Sequence, residues 1–172
     1  MDPVTNKPLL NQPSLNQQVR NLLEENGLAY EIIDHDLAPT CDHSARHRGT
    51  SLTIGGKSLL FKSKRGFSMF VISAACRINS NRVRKILQTQ KVRFASDEEL
   101  MAVAGVEKGA LPPFGGKLLE CELFIDETIF ANQKIAFTCG SLTQSVVMNV
   151  SDYLTLVDGV RVDCCHPPET KD

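Results

Sequence analysis

Apolar positions follow two periods along this chain, helical at its start and strand-like over most of the remainder. Val19, Leu22 and Leu23 recur at helical spacing behind Ser14, which with Gln17 forms a capping box, and Asn26-Gly27 ends the run. Residues 30–34 (YEIID) have strand character, and His35 to Pro39 leave it as a loop. Thr40 is placed to cap a short polar helix that stops at Gly49. Two apolar runs, 58–62 and 67–72, flank the turn Ser63-Lys-Arg-Gly66 and predict a β-hairpin whose second, less polar strand is central. Ser80 caps a helix that turns Val83, Ile86 and Leu87 inward and Arg82, Arg84, Lys85 and Gln88 outward. A short strand at 92–95 precedes a second capping box, Ser96-Asp-Glu-Glu99, whose helix runs to Gly105. Strands follow at 119–126, 134–138 and 145–150, then a helix from Ser151 through Val157 and an extended piece ending in Cys164-Cys-His-Pro-Pro.

Short strands interleaved with helices, several joined through tight turns, predict an α/β domain of the mixed α+β kind. A chain of 172 residues suits one such core. Residues 1–13 read as a polar arm, 14–160 as the domain and 161–172 as a tail. No apolar run reaches the ~18 residues of a membrane span. The N-terminus has no apolar stretch of the secretory kind, so the six cysteines read as reduced thiols and the expected location is cytoplasmic.

Charge changes this picture more than composition does. The net charge of −1 hides an acid-free window between Asp42 and Asp97 that holds twelve of the nineteen basic residues. Such an asymmetry suits a protein that faces a polyanion on one side. A solvated face whose charges pair with acids elsewhere in the fold is the alternative.

Candidate chemistry concentrates in two places. Gly109-Ala-Leu-Pro-Pro-Phe-Gly-Gly116 has three glycines and two prolines in eight residues, which excludes regular structure. It predicts a stiff loop whose free N–H groups can face a ligand oxygen, or else a tight connector. Read as a surface loop, it should affect turnover more than stability when altered. Lys57, after Gly55-Gly56 and at the head of an apolar strand, sets an ammonium at a strand end. There is no G-x-S-x-G, no phosphate-binding G-x-x-x-x-G-K-[ST] and no dinucleotide fingerprint. Cys41, His43 and His47 with Cys164, Cys165 and His166 lack paired C-x₂-C spacing, so no metal and no cofactor is expected.

These features stand in a telling order: Gly-Gly-Lys57-Ser-Leu-Leu, the hairpin strand, the helix from Ser80 and Val92-Arg-Phe-Ala-Ser-Asp-Glu-Glu. Gly109-x₃-Pro113-Phe-Gly115, Leu123-Phe-Ile-Asp-Glu127 and Phe137-Thr-Cys-Gly140 then lead to the final helix. Over roughly residues 15–158 the chain resembles the YbaK/prolyl-tRNA-editing family of aminoacyl-tRNA deacylases. The resemblance implies a curved, partly barrel-like mixed sheet flanked by helices. It also implies hydrolysis of the ester joining a wrong amino acid to a tRNA 3′ end, by water assisted by the substrate's own 2′-hydroxyl. Lys57 would meet the terminal adenosine and its phosphate, and the Gly109–Pro113 loop would offer amides to the ester carbonyl. Ser58, Pro113, Phe114, Gly115, Thr138, Gly140 and Ser141 would form the substrate pocket. Arg82, Arg84 and Lys85 would hold tRNA phosphates.

Misacylated tRNA, through its acceptor end, and an aminoacyl-tRNA synthetase are the implied partners. The chain departs from relatives at Ile33-Asp34-His35-Asp36, at Ser58 after the lysine and at Ser141-Leu-Thr-Gln144. These positions bear on specificity, so the resemblance names no amino acid. A non-catalytic tRNA- or synthetase-binding module of the same fold is the competing expectation, and a zinc-stabilised binding domain a third.

Overall fold

The computed structural model of the protein describes residues 13–37, 40–116 and 118–167, apart from the side chains of residues 42, 47 and 48. The expected arm as far as residue 12, His47 of the candidate metal set and the tail from 168 lie outside the described residues.

Among the described residues, eight strands and six α-helices follow in the order α1 (Leu15–Glu25), β1 (Tyr30–Asp34), α2 (Cys41–Arg48), β2 (Gly56–Ser63), β3 (Gly66–Ser73), α3 (Ser80–Leu87), β4 (Arg93–Phe94), α4 (Asp97–Ala104), β5 (Glu122–Asp126), α5 (Glu127–Phe130), β6 (Lys134–Thr138), β7 (Gln144–Asn149), α6 (Val150–Leu156) and β8 (Val160–Val162). A five-stranded sheet runs β4-β2-β3-β5-β8, and a three-stranded one runs β1-β7-β6. β2 and β3 form the expected hairpin, while β5 lies parallel to β3, and β8 parallel to β5. Among the described residues no helix is long and apolar enough to cross a membrane.

β3 is central because both of its faces are covered. Met69 and Val71 enter the main core with Val19, Leu23, Phe137 and Tyr153. Phe70 and Ile72 enter a second core under α3, with Val83, Leu87 and Phe124. That is why its sequence reads as a continuous apolar run rather than an alternation. Each large apolar side chain buried here contributes about 1.5–3 kcal/mol.

Local signals err where two polar residues compete. Asn79, not Ser80, caps α3, accepting from the amides of Asn81 and Arg82. Ser14 accepts from the Gln17 amide, yet the Gln17 side chain turns to Asn21, so only half of that box forms. The Ser96–Glu99 box closes both ways, and the ion pair with Arg93 followed by the Ser96 amide holds the Glu99 carboxyl at about 2.

The chain beyond Gly159 packs into the fold. Cys164 and Cys165 are buried, and Cys165 bridges to Ile78. Asp126 pins this segment: it accepts from the Thr128 amide at 2.9 Å, the Cys164 amide at 2.7 Å and the Cys164 thiol at 3.2 Å. Burial pushes its carboxyl up, but the Cys164 and Thr128 hydrogen bonds outweigh burial and hold it below its ordinary value. A depressed carboxyl contributes stability that is complete above the unfolded-state value and is lost as pH falls through the folded one. Asp126→Asn should therefore lower stability at pH 7, by about 1–3 kcal/mol. It should also flatten the loss of stability below pH 4, as read from thermal melts across pH.

Candidate active site

Gly55 and Gly56 bring the two sheets together. Gly55 forms a parallel bridge to Ala136 of β6, and a side chain on Gly56 would sit 2.7 Å from Ile135 Cδ1. Only glycine permits that approach, and the next residue is Lys57. The pair Gly-Gly thus carries Lys57 to the seam between the sheets, where a cleft of about 410 Å³ opens.

Lys57, Ser58, Gly109 and Thr138, four of the residues singled out in the sequence, line this cleft together. Ser44 of α2, Phe137, Lys108 and Leu111 join them. Lys57 is exposed, and among the described residues it has no acidic partner. The buried hydroxyls of Ser44 and Ser58 have no hydrogen-bond partner, although such groups are nearly always satisfied in folded proteins.

The glycine-proline loop forms the opposite wall. Gly109 has φ +92°, and its carbonyl accepts from Thr138 Oγ1 at 2.7 Å. The amides of Gly109 and Leu111 have no acceptor among the described residues. Residues 110–115 are buried, so the stretch is not the surface loop expected from its composition. Its apolar members are the reason. Phe114 packs edge-on against Phe137 and Tyr153, and the Tyr153 hydroxyl donates to the Pro113 carbonyl at 2.6 Å. Pro113, Phe114 and Gly115 therefore lie beneath the wall rather than in the cleft, and a Cβ on Gly115 would come within 3.2 Å of Leu123 Cβ.

Gly140 and Ser141 turn the chain between β6 and β7. Gly140 has φ +68°, its amide donates to Ala110 O, and a Cβ there would meet the Asn16 amide at 2.8 Å. Neither residue lines the cleft.

Arg82, Arg84 and Lys85 all stand on α3, with unequal freedom. Arg82 is paired with Asp163, whereas Arg84 and Lys85 line a second concavity with Lys64 and Lys91. That basic surface of about 700 Å³ has no carboxylate in its lining among the described residues. Lys64 lies just past the far end of β2 from Lys57, roughly 20 Å along the strand. Arg65 and Arg93 are paired with Glu122 and Glu99, so part of the basic window is neutralised and part is not.

No histidine or carboxylate lines the main cleft among the described residues. His35 Nε2 and Ser145 Oγ lie 2.8 Å apart, the spacing of a base and a nucleophile, but Ser145 is 0% exposed and lies outside the cleft. Cys164 and Cys165 gather with Asp126, not with Cys41 and His43, and the Asp126 oxygens are already engaged by amides and a thiol. Ser44 and Lys108 had no sequence signal, because helix α2 and the chain before the loop meet the sheets only in three dimensions.

A cationic cleft lined by Lys57, Lys108, Ser44, Ser58 and Thr138 at the seam of two sheets is the candidate active site of an α/β domain. The family model for the aminoacyl-tRNA editing domain matches residues 35–156, and the chain belongs to that family. It is an editing hydrolase that deacylates misacylated tRNA. The chain is 28% identical over 140 residues to the multifunctional Ser/Thr-tRNA deacylase ProXp-y of Escherichia coli K12, covering 78% of this chain and 83% of that protein. Its fold also matches a solved trans-editing enzyme for prolyl-tRNA synthetase, with TM-score 0.78, 19% identity and coverage of 91% and 99%. A scaffold used for computational grafting of linear epitopes matches with TM-score 0.79, 17% identity and coverage of 91% and 100%.

Proposed function

We propose that the protein removes serine or threonine from wrongly charged tRNA. The observation that carries this reading is the cleft at the seam of the sheets, where Lys57 stands beside the polar residues Ser44, Ser58 and Thr138. A polar lining of this kind suits a hydroxylated side chain better than a purely apolar one. The similarity to a Ser/Thr-tRNA deacylase supports the same substrates.

Lys57 holds the phosphate or ribose of the terminal adenosine. The Gly109 and Leu111 amides face the ester carbonyl and stabilise the oxyanion that forms when water attacks. The substrate's vicinal hydroxyl orients that water, since no protein base lines the cleft among the described residues. The protein works in trans in the cytoplasm on tRNA released by a synthetase. The test is a deacylation screen on Ser-, Thr-, Ala- and Cys-charged tRNAs with mismatched and cognate anticodons. Faster hydrolysis of the seryl and threonyl esters is expected, and equal rates on all four would overturn this specificity.

Arg84, Lys85, Lys64 and Lys91 bind acceptor-stem phosphates. Removing one phosphate contact should reduce the slope of log K against log salt by about 0.9. Arg84→Glu with Lys85→Glu should therefore weaken tRNA binding and flatten its salt dependence, while Lys134→Glu should leave both unchanged. Equal behaviour of the two sets in filter-binding titrations would reduce the basic surface to a solvated face.

A further inference from the structure

We infer that Phe94 is a stacking platform for the terminal adenine of the tRNA, in a subsite separate from the amino-acid cleft; this rests on the editing reading. A second cavity of about 340 Å³ adjoins the first across Lys57, Ser58, Lys108 and Gly109. Its far wall holds Phe94, Ala95 and Asp97. Phe94 is 53% exposed, unusual for so large an apolar side chain on a two-residue edge strand. It does not swing freely. Its ring is stacked on Phe61, with centroids 4.7 Å apart and planes 26° apart, and Phe61 in turn packs edge-on against the buried Phe70. One face of Phe94 is thus fixed by the core and the ring as a whole is preorganised, which is the condition under which an aromatic binds a base with least loss of freedom.

The register places this platform relative to Lys57. Phe94 is the cross-strand partner of Phe61, and Phe61, Leu59 and Lys57 alternate onto one face of β2. Four residues of strand separate Lys57 from Phe61, roughly 13 Å. A lysine side chain and a nucleotide bridge that interval, with phosphate at the ammonium and base at the ring. The same ridge of Lys57 and Gly109 borders the amino-acid cleft, so the ester and the adenine of one aminoacyl-adenosine fall on its two sides. Asp97 is the cavity's only acid among the described residues, and it can accept a hydrogen bond from the exocyclic amine of adenine, a donor that uracil lacks.

The chain has no tryptophan, so Phe94→Trp supplies a single fluorescent reporter at the platform. AMP should quench it saturably, UMP more weakly, and ribose 5-phosphate not at all. In parallel, Phe94→Ala should lose roughly 5- to 150-fold in kcat/KM on a mischarged tRNA, the range expected on removing a base–aromatic stack. The loss should fall on KM, with Phe94→Tyr restoring it and the thermal midpoint little changed. Quenching equal for AMP and ribose 5-phosphate, or a Phe94→Ala protein that edits as well as wild type, overturns the subsite and leaves the editing reading intact. AMP quenching in a protein inactive on every mischarged tRNA supports the subsite and overturns the editing reading instead.

Discussion

Lys57→Ala should lose roughly ten- to hundredfold in deacylation rate, the worth of a charge-assisted hydrogen bond of ~1.5–3 kcal/mol. Its thermal midpoint should stay where it is. The two halves of this expectation have one cause: Lys57 is exposed and has no acidic partner among the described residues. A lysine kept for stability would have an acidic partner or a buried stem. Lys57→Arg is the informative companion, because it keeps the charge while enlarging the head group. It should recover tRNA affinity better than turnover. A folded Lys57→Ala protein with wild-type rates on a seryl-tRNA that the wild type edits would remove Lys57 from the site.

Gly109→Val should lose more, approaching the 10²–10³-fold that accompanies removal of an oxyanion donor. At φ +92° a β-branched residue is strained by about 1–3 kcal/mol, so the backbone would move to relieve it. That movement would take the amides of Gly109 and Leu111 out of line and break the Thr138 hydrogen bond to the Gly109 carbonyl. Stability should fall too, by roughly 2–4 °C for each kcal/mol, because Ala110 to Gly115 are buried in the core rather than lying over it. Gly109→Ala, with less bulk, separates the effects: a modest change in melting temperature with a large loss of kcat marks a catalytic wall. Losses of kcat and of folded fraction in strict proportion would instead make the loop a connector.

Much of this protein could be read without coordinates. Strand β6 and the Ser96–Glu99 capping box are local matters, set by alternation and by which side chain lies three residues from which amide, and β6 runs Lys134 to Thr138 as expected. The order of Gly-Gly-Lys57, the Gly109–Pro113 loop and Gly140 was enough to indicate an editing domain, because each needs a special backbone or charge at a fixed place in the chain. Even so, the sequence could not say what each glycine is for. Gly56 lets two sheets touch, Gly115 makes room for Leu123, and Gly140 makes room for the backbone of α1.

The tertiary structure decided which of the candidate residues share a cleft. Lys57 and Gly109 are fifty-two positions apart and meet only because β2 and the loop before β5 reach the same seam. It also divided the basic residues into neutralised and free, since the acids that silence Arg65, Arg82 and Arg93 come from Glu122, Asp163 and Glu99, all outside the acid-free window. Composition placed the glycine-proline stretch at the surface, and packing against Phe137 and Tyr153 placed it inside. Periodicity reports what a residue does to its neighbours within a turn or a strand. Burial and charge pairing depend on partners far along the chain, and those only the folded arrangement supplies.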